Sequence, residues 1–236
     1  MKTIETIDST NIDRLEVIGS ALADSYKIAF AGEPWNEVSR CINTDCPEQF
    51  TCQEPGNSCL TCNSLLVEAY DSKELVDAWR QMVANDRAII ETTLNRGQVP
   101  ILATIARPTN PDELFERKYA DIEAMRPWLR RELPPVFVWI EDTFANRKVS
   151  PSGNLVGRGA TLGRIATRYS GLMIATRTLT PAIVGATLRD VGTQTQLSLG
   201  SQTIDVEQAR LLLAREIGNV PDRRSFLRVM AREEMG

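Results

Sequence analysis

The sequence predicts a mixed α/β fold in which a central twisted sheet is flanked by helices. Three observations carry that expectation. From Val136 to Leu199 the pattern runs strand, glycine segment, helix, strand, helix, strand, the order expected when central strands are joined by a crossover helix. Ahead of it, stretches with apolar residues at helical spacing bracket a short β-branched run, Val99 to Ile105. The chain has 236 residues, 42% hydrophobic and 25% charged, which is enough for a packed core without disulfides. Such a length suits one large domain or two small ones. The pattern is read as a single domain over 1–236, with a cysteine-bearing insertion at 40–63.

Taken in order, Ile12 to Phe30 carries Leu15, Ile18, Leu22 and Tyr26 at helical spacing, and Gly32-Glu33-Pro34 ends that helix. Arg40 to Asn63 is polar and contains Pro47, Pro55 and Gly56, so it reads as irregular. Asp71 or Ser72 caps a helix through Trp79 and Val83, which is expected to run towards Leu94 and stop at Gly97. Val99 to Ile105 is a buried strand. Pro111 or Asp112 opens a helix through Leu114, Phe115, Tyr119 and Met125, ending before Pro134-Pro135. Val136 to Ile140 is a strand, and Ser150 to Gly153 is a turn. A helix follows over Ala160 to Tyr169, then a strand over Leu172 to Thr176. Thr180-Pro181 starts a helix that Gly192 closes. Thr193 to Leu199 is a strand, and the tail segments Val206 to Leu213 and Arg224 to Met235 read as helical.

Composition narrows the function classes. A formal charge of −4 argues against nucleic acid or an anionic membrane as the main partner. There is no apolar run long enough for a membrane-spanning helix, and the polar, acidic start does not look like a signal peptide, so a cytoplasmic location is expected. The chain has no histidine, which excludes Ser-His and Cys-His nucleophile schemes and His-ligated metals.

The segment Asn154-Leu155-Val156-Gly157-Arg158-Gly159-Ala160 lies between a predicted strand and a predicted helix. Glycines there let backbone N–H groups approach phosphate oxygens, and a helix start favours anions. The bland alternative is a turn whose glycines serve only the chain reversal. The segment resembles motif A of the GNAT superfamily of N-acetyltransferases, with Asn154, Gly157 and Gly159 at its three marked positions. Ile140-Glu141-Asp142-Thr143-Phe144 is similar to the acidic strand of that family. Leu172 to Thr176 and Thr180 to Gly192 resemble the strand and helix that follow. Ala29 to Glu37 is similar to a stretch found after the first helix in some members.

The resemblance implies acetyl-CoA as donor and an amine, small-molecule or peptide, as acceptor. It implies that the segment from Asn154 to Ala160 cradles the pyrophosphate and that main-chain N–H groups of Thr143, Phe144 and Ala145 grip the thioester carbonyl. Glu141 or Asp142 would accept the amine proton; neighbours on a strand face opposite ways, so one of the two faces the cleft, with Glu141 preferred. Either could equally be a solvated strand-end acid. Trp35, Asn36 and Glu37 would line the acceptor side. The family also implies a homodimer, for which the tail helices are available. Three features depart from the family pattern: Asn154 stands for Gln or Arg, the loop from Phe144 to Asn154 is long, and Leu188 occupies the position of a tyrosine acid. Leucine cannot protonate a leaving thiolate, so a protein that binds coenzyme A or a partner without turnover is the alternative.

All five cysteines fall between Cys41 and Cys62. Cys59-x-x-Cys62 has the spacing of a metal hairpin, and Cys41 with Cys46 completes a Cys₄ zinc set, leaving Cys52 spare or competing with Cys41. Disulfides, an iron–sulfur cluster and unligated thiols are the rival readings. Trp139, mid-strand, reads as core, and Arg130-Arg131 and Arg223-Arg224 as solvated faces.

Overall fold

The computed structural model describes residues 2–32, 35–120, 125–149, 155–170, 172, 174–177 and 227–230. The elements are β1 (Thr3–Ile7), α1 (Arg14–Phe30), β2 (Ser39–Cys41), β3 (Phe50–Thr51), β4 (Leu66–Glu68), α2 (Ser72–Asn85), β5 (Ile89–Leu94), β6 (Pro100–Thr109), α3 (Pro111–Lys118), α4 (Met125–Glu132), β7 (Phe137–Ala145), α5 (Leu155–Arg168), β8 (Ile174–Arg177) and β9 (Leu227–Met230). Six strands are neighbours in the order β1-β5-β6-β7-β8-β9, and β3-β2-β4 form a separate small sheet. The large sheet is mixed, because β7 and β8 run parallel while β1 with β5 and β8 with β9 run antiparallel. The fold is therefore mixed α/β with a central sheet and flanking helices, as the sequence predicts.

The chain divides into two compact units. The first comprises Met1–Asn85, Ile89–Ala103 and Thr143–Asn154. Here α1 buries Leu15, Ile18, Leu22, Ala23, Tyr26 and Phe30, a stripe with the helical period. Gly19 lies on the same face, where an added Cβ would sit 3.0 Å from both methyls of Val76 in α2. Tyr26 is the hub of an aromatic cluster, with ring centroids 4.3 Å from Phe30, 5.0 Å from Tyr70, 5.8 Å from Trp79 and 5.1 Å from Phe144. Asp71 caps α2, its carboxylate accepting from the Glu74 N–H at 2.9 Å.

The expectation that α2 continues towards Leu94 is wrong. It stops at Asn85, Arg87 takes a left-handed backbone (φ 53°), and Ile89–Leu94 is strand β5, buried at all six positions. Pairing from Ile7↔Ile90 to Thr3↔Leu94 replaces intrahelical hydrogen bonds with a ladder to β1, and Ile and Thr suit a pleated surface. A turn whose Asn95 side chain accepts from the Gly97 and Val99 N–H groups then leads into β6, which is longer than the predicted strand.

The second unit comprises Asp86–Ala88, Thr104–Asp142 and Leu155–Gly236. Asn110 caps α3 by accepting from the Glu113 N–H at 2.9 Å, and Pro111 fills the first helical position. The single helix expected from Pro111 past Met125 is instead two, α3 and α4; Arg126 lies 4.0 Å above the Phe115 ring and Arg130 pairs with Asp112 at 2.8 Å. Val138↔Ile174 and Trp139↔Ala175 register the parallel pair β7/β8, with α5 between them in the chain. Trp139 is fully buried, in keeping with its core reading. The tail expected to be helical contains β9, whose Leu227 to Met230 pairs with Arg177 to Ile174, so sheet pairing overrides the helical pattern of that segment. The segments expected at Ser150–Gly153, Thr180–Gly192, Thr193–Leu199 and Val206–Leu213 lie outside the described residues.

Candidate functional site

Four thiols converge in the first unit. The β2–β4 sheet aligns Ser39↔Thr51 and Arg40↔Phe50 on one side and Cys41↔Leu66 on the other, which fixes Cys41 at the end of β2. Cys46 is held in a loop closed by the Gln49 side-chain amide, which donates to the carbonyls of Asn43, Thr44 and Cys46. Cys59 and Cys62 sit on a tight turn in which the Asn63 N–H donates to the Cys59 carbonyl at 2.8 Å. Asn63 has φ 63°, a conformation that asparagine tolerates better than most residues.

The sulfurs of Cys41, Cys46, Cys59 and Cys62 all lie within 4.8 Å of one another; Cys41–Cys62 is 3.3 Å and Cys46–Cys59 3.8 Å. None is disulfide-bonded, and Cys52 is exposed and outside the set. Four thiolates about 2.3 Å from one ion in a tetrahedron stand about 3.8 Å apart, so the donor set fits zinc. The remaining apolar support is thin. The core of this sheet is the cysteines themselves and Leu66, while Ile42, Leu60 and Leu65 are exposed. Burial pushes the Cys46 thiol up to about 12 and raises that of Cys41. Cys62 is drawn down to about 6 by the side chain and backbone N–H of Ser64 and then by Cys41, so it is the thiol readiest to become thiolate.

The predicted acceptor residues lie next to this sheet in the chain. The N–H groups of Trp35 and Asn36 donate to the Gly32 carbonyl, and that of Glu37 to the Phe30 carbonyl. The Trp35 ring stands 5.1 Å from Phe30. Glu37 accepts a hydrogen bond from the Tyr70 hydroxyl. A cavity of about 350 Å³ lies here, lined among others by Lys27, Glu37, Glu54, Glu68 and Tyr70. Tyr70 was missed in the sequence, where a lone tyrosine shortly after the apolar run Leu65-Leu66-Val67 gives no signal.

In the second unit, strand β7 extends five residues beyond the predicted Ile140 and carries both candidate acids. Glu141 has a side chain only 4% exposed and meets three cations: Arg107 at 2.9 Å, Lys118 at 3.1 Å and Arg117. Arg107 is as buried, and also pairs with Asp86 and with Glu113 at 2.8 Å. Burial pushes the Glu141 carboxyl up, but Lys118 and Arg117 outweigh it and hold it below the usual glutamate range. Such a carboxylate is a weak proton acceptor. Asp142 is half-buried and next on the strand. Arg107, the one charge in an otherwise apolar strand segment, was the overlooked signal of this cluster.

Thr143, Phe144 and Ala145 end β7, with Phe144 buried against Tyr26 and Trp79. Leu155, Val156, Gly157, Arg158, Gly159 and Ala160 are not a loop: they form the opening turns of α5, which starts five residues earlier than expected. Helical glycines each cost about 1 kcal/mol against alanine, an amount that the buried face of the same helix, Thr161, Ile165 and Ala166, offsets. No acidic residue lies in the first turn. Asn154 and Leu188 lie outside the described residues. The Tyr169 hydroxyl donates to the Arg87 carbonyl at 2.6 Å. Among the described residues no helix is long and apolar enough to cross a membrane.

No protein-family model and no curated protein matches the sequence. Among solved structures the chain is similar to a polyamine N-acetyltransferase of Drosophila melanogaster that forms N-acetylagmatine, at 12% identity and TM-score 0.48, over 99% of this chain and 100% of that one. It is also similar to an agmatine N-acetyltransferase (15% identity, TM-score 0.45, 99% and 100% covered) and to arylalkylamine N-acetyltransferase 2 of Aedes aegypti (13%, 0.46, 98% and 98%). At such identities and TM-scores the likeness decides neither reaction nor substrate, and the reading of the site rests on this chain's own residues.

Proposed function

We propose that the chain is an acyl-CoA-dependent N-acetyltransferase of the GNAT type, transferring an acetyl group from acetyl-CoA directly to a small-molecule or peptide amine in the cytoplasm. One observation supports this most: the parallel strands β7 and β8 are separated in the chain by helix α5, whose opening turns contain Gly157 and Gly159 and no carboxylate. Main-chain N–H groups and the dipole at a helix start favour a pyrophosphate, and glycine leaves the backbone accessible. A structural zinc in the four-thiol centre belongs to the same reading, since the donor set is all thiolate.

The donor supplies a thioester; the chain has to hold it, take one proton from the amine and return one to sulfur. Main-chain N–H groups at the start of α5 are assigned to the pyrophosphate, and those of Thr143 to Ala145 to the thioester carbonyl, where negative charge grows as nitrogen attacks. Asp142, half-buried and the second of the two candidate acids, is assigned the amine proton, directly or through water; Glu141 is tied to three cations. The neutral amine nitrogen then bonds the acyl carbon, the carbon–sulfur bond breaks, and the second nitrogen proton passes to the leaving thiolate, relayed by water or by the hydroxyl of Thr143 or Thr176. The clamped Glu141 also favours a second reading, in which the chain binds coenzyme A without turnover.

Calorimetry with coenzyme A tests the first step. The wild-type chain should bind, and a variant with Gly157→Phe and Gly159→Phe that keeps its circular dichroism should not; unchanged affinity in that variant rejects the assignment. Thioester turnover with an amine panel, compared with Asp142→Asn, separates transfer from binding alone.

A further inference from the structure

We propose that the metal ion in the four-thiol centre builds one wall of the acceptor pocket, so that amine binding depends on the metal while coenzyme A binding does not. The inference rests on the transferase reading and concerns its acceptor side. The cavity of about 350 Å³ has two unlike walls. One is α1, with Lys27, fixed by the buried stripe from Leu15 to Phe30. The other consists of residues that flank or interrupt the small sheet: Glu37 and Val38 before β2, Glu54 after β3, and Glu68 and Tyr70 at the end of β4.

That second wall has little to hold it besides the thiols. Its strands have three, two and three residues, at or below the short end of the usual range. Its packed interior is Cys41, Cys46, Cys59 and Leu66 with Cys62 against them. The wall residues are tied directly to these strands. The Val38 N–H donates to the Thr51 carbonyl at 3.0 Å, the Ala69 N–H to the Val38 carbonyl at 3.2 Å, and the Tyr70 hydroxyl to the Glu37 carboxylate. Cys41 closes the same β2 strand that Glu37 and Val38 lead into. An ion joining Cys41 and Cys46 to Cys59 and Cys62 therefore locks the loops on both sides of the strands that carry the wall. With all-thiolate donors and no histidine in the chain, zinc is the ion expected.

The occupant follows from charge and size. Three carboxylates, Glu37, Glu54 and Glu68, face two lysines, Lys27 and Lys148, and Lys27 is already engaged by Glu68 at 2.9 Å. The surplus is negative, with an aromatic hydroxyl beside Glu37, which suits an ammonium on a short organic chain. The residues assigned to coenzyme A, Thr143 to Ala145 and Leu155 to Ala160, lie outside the metal-held segment.

The test compares zinc-loaded protein with protein depleted by a chelator under reducing conditions. Readouts are metal content, amide hydrogen exchange, and calorimetry with coenzyme A and, separately, with putrescine and 2-phenylethylamine as amine probes. The expected result is one zinc per chain, loss of amide protection over residues 37–70 on depletion, and amine binding weakened by about tenfold or more, with coenzyme A affinity within about twofold. Unchanged amine affinity after depletion overturns the coupling, as does failure of both amines to bind the loaded protein. Absence of coenzyme A binding in the loaded protein overturns the transferase reading, which the amine titration does not touch. If depleted protein aggregates, Glu37→Gln and Tyr70→Phe decide, since both keep the four thiols. Each should retain zinc and bind amine more weakly; unchanged amine affinity in both overturns the proposal.

Discussion

Arg107 Nε lies 2.9 Å from Glu141 Oε1, and both side chains are only 4% exposed. Buried charges survive only when paired, and each residue supplies one of the other's opposite charges. The guanidinium also reaches Asp86 and Glu113, and the carboxylate reaches Arg117 and Lys118, which makes a network of three cations and three acids.

Breaking that pair from one side should be costly. Glu141→Gln and Arg107→Met are each expected to destabilise the fold by about 3 kcal/mol, near the low end for a broken buried pair because other partners remain. Their combination should cost less than the two together, since the second substitution no longer strands a charge. A urea-denaturation double-mutant cycle checks this. Additivity within about 0.5 kcal/mol would show that the two residues do not depend on each other.

The same carboxylate gives a pH signature. Its pKa is lowered in the fold relative to an ordinary glutamate, so its contribution is present above the unfolded value of about 4.3 and is lost as pH falls through the lower folded value. Thermal melts from pH 6 to pH 3 should show a falling acid limb in the wild type. In Glu141→Gln the curve should start lower and fall less steeply between about pH 4.5 and 3. Parallel curves for the two proteins would remove Glu141 from the acid response.

How far the sequence could be read depended on whether a signal was local. The helix α1 and the Cys41, Cys46, Cys59, Cys62 set were legible because a 3.6-residue stripe and a Cys-x-x-Cys spacing are complete within a short stretch. Strand β5 was not. Ile89-Ile90-Glu91-Thr92-Thr93-Leu94 continues a helical apolar pattern, and only pairing with β1, some 85 residues away, makes it a strand and gives buried Glu91 the Thr6 hydroxyl as a partner. The glycines at 157 and 159 suggest a loop on propensity, yet sit in α5 because the helix as a whole has a face to bury. Arg107 and Tyr70 escaped for a related reason: their partners, Glu141 and Glu37, are 34 and 33 positions away, and no spacing rule links them.

Packing between α1 and α2 predicts a steric effect at Gly19. A Cβ there would stand 3.0 Å from both Val76 methyls, and valine is stiff about χ1, so it yields little. Gly19→Leu should destabilise the protein by about 2–3 kcal/mol despite the better helix propensity of leucine. Gly19→Ala should be recovered in part by Val76→Ala, which removes the opposing methyls. Chemical denaturation of the single and double variants measures both; a stabilising Gly19→Leu would mean the helices can part without cost.

The four-thiol centre predicts a particular thiol count. Cys52 is exposed and stands outside the sulfur cluster, whereas Cys41, Cys46 and Cys59 are buried. In zinc-loaded protein a disulfide reagent should therefore react quickly with one thiol, and chelation should release the other four. Cys52→Ser should abolish the fast phase and leave metal content unchanged, because that residue contributes no ligand. Cys46→Ser should instead lower zinc content, since it removes one of four donors from a site that the surrounding side chains cannot replenish: the chain has no histidine, and burial around Cys46 disfavours a charged substitute. Five thiols reacting at one rate in metal-loaded protein would contradict ligation. Metal-free protein with fewer than five titratable thiols would mean instead that the sulfurs close into disulfides, for which the 3.3 Å and 3.8 Å contacts would have to shorten to about 2.05 Å.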